Sequence, residues 1–341
     1  MAAAQESIET AVNRIGKDLA GRSAGATPSL FQSKNWTDNL LRLAMKDSTF
    51  KVQLFRFVDV LPTLQSDAQI ARIMEEYFSG IDLGSGLLAQ GMSWLTASSF
   101  GTKLSAHSFK QQVEHMARSF IAGVTAEAAL PVLKDLWIKK RGSSVDLLGE
   151  ATVSEREATA YASRCLDSFN ILAHAATHWP SIPTLEHDHL GPHPRINLSL
   201  KISALYSQLD PIEPEGSYRA VAARLRPLVE RAMQLPAGIT IDMEQADLKS
   251  LLLAIVERLF SEPAFRAYPY AGVALQAYLR ETPHDLEKLI SWARQRSVPF
   301  SIRLVKGAYW DSDTVLYRQR GWPLPAFTHK SETDRHYEDL T

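Results

Sequence analysis

The segment from Ser301 to Asp311 joins an apolar start to an end that is rich in reactive side chains. Residues 301–305 predict a buried strand. The segment brings together two cations, two aromatic rings, a glycine and a carboxylate, namely Arg303, Lys306, Tyr309, Trp310, Gly307 and Asp311. Active sites of α/β barrels lie at the carboxyl ends of the strands. We therefore expect this segment to place both a cofactor and a substrate.

The side chains near this strand end have distinct chemical uses. Arg303 stays charged and offers a planar fork of donors, which suits a flavin ring nitrogen or a carboxylate. Lys306 lies close by on the same segment, and Gln276, near the end of the preceding predicted strand, carries a donor and an acceptor that can pair with a pyrimidine-like ring edge. Tyr309 and Trp310 supply flat surfaces for an aromatic ligand. For these two rings, ordinary core packing is the alternative.

Four further strands precede this one, with a helical pattern between successive strands. We predict strands over residues 144–150, 196–202, 238–242, 272–277 and 301–305. Alternation of strand and helix is typical of a parallel sheet with right-handed crossovers. A doubly wound sheet would carry a glycine-rich phosphate turn after its first strand, and no G-x-G-x-x-G occurs in the sequence. The predicted α/β fold is therefore a TIM-type (βα)8 barrel with five strands in this chain.

A polar residue stands at or near the end of every predicted strand. The set comprises Glu150, Lys201, Asp242, Glu244, Gln276 and Arg303. Buried polar groups are costly without partners, so these residues must pair with one another or with a ligand. An ion network that merely closes the barrel is the structural alternative, but the mouth of such a barrel is where the active site lies.

The part of the chain before the barrel shows helical spacing. Apolar residues recur every three or four positions, for example at Phe55, Val58 and Leu61. We predict an N-terminal arm or linker (residues 1–34), an all-helical domain (35–140) and the barrel (141–341). A whole barrel takes roughly 250 residues and eight strands. The barrel is therefore expected to be incomplete at its C-terminus, and the chain to be part of a longer protein.

The composition excludes several classes of function. The formal net charge of −1 offers no global field for nucleic acid. The single cysteine, Cys165, excludes an internal disulfide and suits a reducing, cytoplasmic compartment, and its helical surroundings predict a packed thiol. Residues 1–15 lack the layout of a signal peptide, and the uncharged stretch 83–102 is too interrupted by glycine and polar residues to span a membrane. Peripheral membrane contact stays open, and no metal ligands are predicted.

A second candidate binding segment lies downstream, at Thr328, His329 and Lys330. A threonine and a lysine close to a helix N-terminus can hold a phosphate. A solvated helix start is the alternative.

Six ordered motifs resemble the proline dehydrogenase domain of the bacterial proline utilization A flavoproteins, and the resemblance runs from about residue 35 to the end. The motifs are Leu147-Leu148-Gly149-Glu150-Ala151, Ser199-Leu200-Lys201-Ile202-Ser203-Ala204-Leu205, Ile241-Asp242-Met243-Glu244-Gln245-Ala246-Asp247, Leu275-Gln276-Ala277-Tyr278, Arg303-Leu304-Val305-Lys306-Gly307-Ala308-Tyr309-Trp310-Asp311 and Phe327-Thr328-His329-Lys330. Six motifs in the family's order are far more specific than any one of them.

The resemblance implies an FAD-dependent barrel that oxidises L-proline to Δ1-pyrroline-5-carboxylate, the first step of proline catabolism to glutamate. It implies hydride transfer from proline C5 to flavin N5 and passage of electrons to a membrane quinone, with peripheral association at the inner membrane. It also implies a bifunctional protein, in which a C-terminal L-glutamate γ-semialdehyde dehydrogenase domain would use NAD if such a domain follows residue 341. Homo-oligomerisation stays open.

The resemblance also implies roles for individual residues. Lys201 resembles the lysine near the substrate carboxylate, and Glu150 and Asp242 resemble acidic residues of the active-site ion network. The expected catalytic set is Lys201, Asp242, Glu150, Arg303 and Tyr309, with Ala308 and Tyr309 lining the proline pocket. The expected flavin contacts are Arg303, Val305, Lys306, Gly307, Gln276 and Trp310. Thr328, His329 and Lys330 resemble the segment that holds the FAD phosphates and ribose, where His329 replaces the usual arginine.

The chain departs from the family in two further ways. The family's paired arginines and a tyrosine, from its last strands and final helix, would lie beyond Thr341, so the isolated chain is expected to bind proline poorly. Residues 1–35 lack the basic strand-helix-helix pattern of the DNA-binding module that some members carry, so no nucleic-acid partner is expected.

Two other interpretations stay open. One is a Schiff-base aldolase or lyase barrel that uses Lys201 or Lys306 as the nucleophile. The other is a non-catalytic helical interaction domain in residues 1–140 beside an inert barrel.

Overall fold

The structure, a computed structural model, describes residues 8–24, 47–78, 121–149 and 151–341. It divides into two compact units, Met1–Ile121 and Ala122–Thr341. The predicted helix around Phe109 to Phe120 lies outside the described residues, as does Glu150.

The described part of the first unit is helical. It contains α1 (Ile8–Ala24), α2 (Ser48–Val60), a short 3-10 turn (Leu61–Thr63) and α3 (Asp67–Phe78). The helices between residues 47 and 78 agree with the predicted helical spacing, whereas the helix at residues 8–24 lies in the segment predicted as an arm or linker. Asp47 begins α2, because its carboxylate accepts the Phe50 N–H at 2.6 Å. Phe50 and Phe57 then pack against Phe78 of α3, with ring centroids 5.7 and 5.8 Å apart. The two helices thus share one small aromatic core.

The second unit alternates helices and strands. Its elements are α4 (Ala126–Ile138), β1 (Ser144–Asp146), α5 (Glu155–Ala176), α6 (Pro183–Glu186), β2 (His187–Asp188), β3 (Gly191–Pro192), β4 (Asn197–Leu200), a 3-10 turn (Ile202–Ala204), α7 (Pro214–Gln234), β5 (Gly238–Ile241), α8 (Lys249–Leu259), β6 (Ala271–Gln276), α9 (Thr282–Arg296), β7 (Ser301–Val305), α10 (Trp310–Gln319) and α11 (Lys330–Asp339). Strands β2 and β3 form a small antiparallel hairpin, which the sequence did not indicate.

The five predicted barrel strands form one parallel sheet in the order β1-β4-β5-β6-β7. Strands β5 and β6 are buried along their whole length, whereas β7 alternates between exposed and half-buried residues. Apolar faces of α5, α7 and α8 cover the sheet through residues such as Phe169, Leu225 and Val256, none of which is accessible to solvent. The alternating pattern and the parallel sheet are confirmed.

Two boundaries differ from the predictions. Strand β1 ends at Asp146 instead of continuing to residue 150, because its pairing with β4 ends at the Asp146–Ser199 pair. The sequence places residues 126–138 in the helical region before residue 141, but the helix that they form, α4, falls within the unit that contains the sheet. Its Leu133 and Trp137 are buried in that core, where Trp137 packs on Trp179 at a centroid distance of 5.7 Å.

None of the helices in the described ranges is both long and apolar enough to cross a membrane.

Candidate active site

The carboxyl end of the parallel sheet carries an ion network centred on Lys201. This residue directly follows β4, and its side chain is only 9% exposed. Its Nζ lies 2.9 Å from both Oδ atoms of Asp146, at the end of β1, and 3.1 Å from Oδ2 of Asp242, which follows β5. The backbone N–H of Lys201 donates to the Tyr161 hydroxyl of α5 at 3.3 Å. Carboxylates at the ends of the two neighbouring strands therefore fix the ammonium group, while a helix residue holds the backbone of Lys201.

Asp242 joins the two halves of the network. Its Oδ1 accepts the Ser199 hydroxyl of β4 at 2.6 Å and a short bond from Arg303 Nη2 of β7, while its Oδ2 accepts from Lys201. The Asp242 side chain is 14% exposed. Two of these bonds are charge-assisted, a kind roughly twice as strong as neutral hydrogen bonds, so this carboxylate links the residues of β4 and β7 with the end of β5.

Arg303 shows that the sheet curves strongly. Its Nη2 lies 3.2 Å from Ser199 Oγ, although β7 and β4 are separated by β5 and β6 in the sheet. In a flat sheet, strands three positions apart would be roughly 14 Å from each other at about 4.8 Å per step, beyond the reach of one side chain. The contact therefore crosses a concave face, as in the interior of a barrel.

The electrostatics of the lysines argue against Schiff-base chemistry. Burial alone would lower the pKa of Lys201, but the hydrogen bond to Asp146 and the charge of Asp242 outweigh it and raise the pKa above the ordinary 10.5. The hydrogen bond to Asp334 likewise raises the pKa of Lys306. A Schiff-base lysine needs a lowered pKa so that a neutral amine can attack. Neither lysine has that property.

A second buried carboxylate, Glu244, ties neighbouring strand-end loops together. It is 1% exposed and accepts the Ser203 N–H at 3.2 Å as well as a short bond from the Ser203 hydroxyl. Its backbone carbonyl accepts Gln276 Nε2 at 2.8 Å. Gln276, predicted to pair with a ring edge, thus directs its amide nitrogen to the protein backbone.

Lys306 belongs to a separate cluster at the start of α11. Its Nζ contacts Oδ1 of Asp334, which also accepts from Lys330 Nζ at 2.8 Å. Hydrogen bonds from Lys306 and then Lys330 lower the pKa of Asp334. The Lys306 and Lys330 side chains are 49% and 77% exposed, so their cationic ends are accessible to an anionic ligand. Lys306 and Lys330 thus share Asp334 as their partner, and both lie outside the Lys201 network.

The remaining predicted residues lie in the chain between the end of β7 and the start of α11. Trp310 Nε1 donates to the Phe327 carbonyl at 2.6 Å, while 37% of the residue stays exposed. His329 is the N-cap residue just before α11, and its N–H donates to Glu332 at 3.0 Å. Thr328 precedes it. Ala308 is exposed, whereas Val305 and Tyr309 are half-buried. The set combines accessible cations with an oriented aromatic ring, and this donor chemistry fits an anionic ligand that carries a flat ring system.

Sequence reasoning missed three residues that organise these groups. They are Asp146, Ser199 and Asp313. Asp146 ends β1 and could have been found as a polar residue at the end of a predicted strand, had the end of β1 been placed correctly. Ser199 lies inside β4, where one small polar residue in a strand gives no signal of a site. Asp313 carries no such signal and is identified only by its burial in the structure.

The parallel sheet and its strand-end ion network define a barrel-type α/β domain. A family model for proline dehydrogenase matches residues 129–341, and a model for the proline utilization A N-terminal domain matches residues 9–120. The chain belongs to the proline dehydrogenase family.

Individual relatives support this assignment. The chain is 36% identical to proline utilization A (PutA) from Bdellovibrio bacteriovorus, whose crystal structure was determined after inactivation by N-propargylglycine; the TM-score is 0.84 over 98% of this chain and 33% of that one. It is 30% identical to the bifunctional protein PutA of Klebsiella aerogenes over 65% of this chain and 16% of that protein. It is 28% identical to proline dehydrogenase 1 of Bacillus subtilis strain 168 over 72% of this chain and 62% of that protein. The chain thus spans only a fraction of its PutA relatives.

Proposed function

We propose that this chain provides Lys201 and Arg303 to an FAD-dependent proline dehydrogenase site that converts L-proline to Δ1-pyrroline-5-carboxylate. The observation that carries the proposal is the network in which Asp242 binds both Lys201 and Arg303 at the concave strand ends. Family membership supports the same activity. The proposal also includes the bifunctional context, with a following NAD-dependent dehydrogenase domain. It further includes peripheral association with the membrane, where a quinone would accept the electrons.

Lys201 is the proposed partner of the substrate carboxylate. An ammonium group offers three N–H donors, and in this structure Lys201 directs them to Asp146 and Asp242. A substrate carboxylate would therefore replace one aspartate contact. Asp146 is the better candidate for release, because its side chain is 40% exposed against 14% for Asp242.

Arg303 is the proposed electrostatic partner of the cofactor. Its side chain is 41% exposed despite its bond to Asp242, so the guanidinium has donors left for a ligand. FAD, when bound, supplies the hydride acceptor that amine oxidation requires. A fixed positive group stabilises charge that develops in its vicinity. Asp242 holds Arg303 in place for that task.

The donor set of the second cluster fits the rest of the cofactor. Lys306 and Lys330 would hold its phosphates, with Thr328 and His329 beside the first turn of α11, where helix N–H groups favour anions. Trp310, oriented through Phe327, would offer its exposed ring surface to a flat group. Glu150, Gln276, Val305, Gly307, Ala308 and Tyr309 keep the roles that the resemblance implies.

The test replaces Arg303 in the longest natural form of the protein. Arg303→Met should lower the rate of flavin reduction by L-proline by about 10²-fold, the usual effect of removing one preorganised donor, while flavin content falls much less. Arg294→Met, an exposed position on α9, is the matched control and should behave as wild type. Equal reduction rates in Arg303→Met and wild type would contradict the proposed role.

The Schiff-base alternative has its own test. Borohydride in the presence of a carbonyl substrate should leave Lys201 and Lys306 unlabelled. Covalent labelling of either lysine, together with the lack of a flavin spectrum, would overturn the proposed function.

A further inference from the structure

A carboxylate outside the ion network lies fully buried at the start of α10. Asp313 is 0% exposed. Both its Oδ atoms lie 3.2 Å from the N–H of Ala246, and its Oδ2 accepts the Tyr278 hydroxyl at 2.6 Å. Burial is the main cause that raises the pKa of Asp313, and the hydrogen bond from Tyr278 partly offsets it. No cation among the described residues forms an ion pair with Asp313, so neutral donors from two other loops satisfy it.

Tyr278 holds the loop that follows β7. Its backbone N–H donates to the Lys306 carbonyl at 2.8 Å. Its ring lies directly beneath Gly307, where an added Cβ would come within 1.9 Å of the ring. The same residue therefore supports the loop through its backbone, its ring and, through Asp313, its hydroxyl group.

The loop from Lys306 leads directly into α10, whose N-cap is Tyr309. The backbone N–H of Asp313 donates to the Tyr309 carbonyl at 2.9 Å as the first bond of this helix, so the Asp313 carboxylate lies within one helical turn of the loop. The Ala246 contact links this arrangement to the loop that follows β5 and begins with Asp242. One buried side chain thus connects the two loops that carry the proposed cofactor and substrate groups.

We propose that Asp313 is a positioning residue which, with Tyr278, sets the spacing between the loop after β5 (residues 242–248) and the loop after β7 (residues 306–309). We call the Asp313–Tyr278 pair and its bond to Ala246 the clamp. The inference rests on the proposed function only for the effect on turnover, since the clamp itself is a property of the fold. A loop that is misplaced by about 1 Å can cost about 10²-fold in rate, which makes such a clamp functionally important.

The first measurement is hydrogen exchange of the two loops. Asp313→Ala leaves the Tyr278 hydroxyl and the Ala246 N–H without their acceptor, so the amides of residues 243–248 and 306–310 should exchange faster together. Asp311→Ala, an exposed carboxylate in the same helical turn, is the matched control. Tyr278→Phe removes a single hydroxyl and provides a second variant if Asp313→Ala does not fold. Faster exchange in one loop alone, or in neither, overturns the proposal.

The second measurement separates positioning from stability. With L-proline and an artificial electron acceptor, Tyr278→Phe and Asp313→Ala should raise KM by about tenfold with flavin content unchanged, because Ala308 and Tyr309 are the proposed substrate contacts. Asp313→Asn keeps an oxygen acceptor and should restore KM to within a few-fold of wild type. An unchanged KM in both variants, with an active wild type, overturns the positioning role. If no amine substrate reduces the flavin of the wild type, the proposed function is overturned instead. The exchange experiment then still decides whether Asp313 and Tyr278 hold the two loops.

Discussion

Arg303 Nη2 lies 3.2 Å from Ser199 Oγ, although their strands are separated by two others in the sheet. The two side chains meet over the concave face, and both bind the same oxygen of Asp242. Curvature of the sheet therefore brings residues that are 104 positions apart in sequence into one hydrogen-bonded group. A site built in this way depends on Asp242 more than on either partner.

Asp242→Ala should destabilise the protein far more than Ser199→Ala. Removing Asp242 leaves Lys201 with one carboxylate and Arg303 without its counterion, and breaking a buried ion pair costs about 3 kcal/mol. Loss of the Ser199 hydroxyl removes one hydrogen bond to a charged group, worth about 1.5 kcal/mol. Urea unfolding of the two variants measures the difference. Equal losses in the two variants would contradict the central position of Asp242.

The raised pKa of Lys201 predicts a specific pH dependence. A group whose pKa is higher in the folded state contributes its full stability below its unfolded pKa and loses it as the pH rises through the folded value. The difference in unfolding free energy between wild type and Lys201→Met should thus be constant between about pH 6 and about pH 9 and shrink only above 10.5. Urea titrations over this range provide the measurement. A decline that begins near neutral pH would instead indicate a lowered pKa and would favour the Schiff-base interpretation.

Much of the sheet could be predicted from sequence, but the end of its first strand could not. Strands such as residues 238–242 stand out because β-branched residues follow glycine, which is a local signal. The end of β1 was misplaced because Leu147 and Leu148 continue the apolar run, although Leu148 is 74% exposed. That error hid Asp146, the bidentate partner of Lys201.

Helical faces were equally ambiguous. Spacings of three and four residues fit more than one face of α2, and the prediction chose Phe55, which is 58% exposed, while Phe50 and Phe57 face the core. Asp313 is an acidic residue in the first turn of a helix, which is typical of an exposed position near the positive end of the helix dipole. Only the tertiary contacts with Tyr278 and Ala246 bury it.

Cys165 should be inert in the folded protein. It is fully buried on α5, and burial is the main cause that raises its pKa to about 12. Because the thiolate is the reactive form, a thiol reagent at neutral pH should modify no cysteine in native protein and one equivalent after unfolding in guanidinium. Rapid modification of the native protein would show that α5 opens locally. The result also tests the packed thiol that the sequence predicts.

Gly307→Ala should damage both stability and the site, and Gly321→Ala is its matched control. Gly307 has φ of +121°, and its added Cβ would overlap the Tyr278 ring, whereas Gly321 has φ of +67° with open space around it. Gly321→Ala therefore carries backbone strain alone, about 1 kcal/mol, and should retain activity. Gly307→Ala combines a steric clash with a φ outside the left-handed region open to L-residues, so its loss of unfolding free energy should reach about 3 kcal/mol, and displacement of Tyr278 should also release Asp313. Thermal unfolding and proline-dependent dye reduction measure the two effects. Similar losses in the two variants would mean that backbone strain, and not the contact with Tyr278, is what requires glycine at position 307.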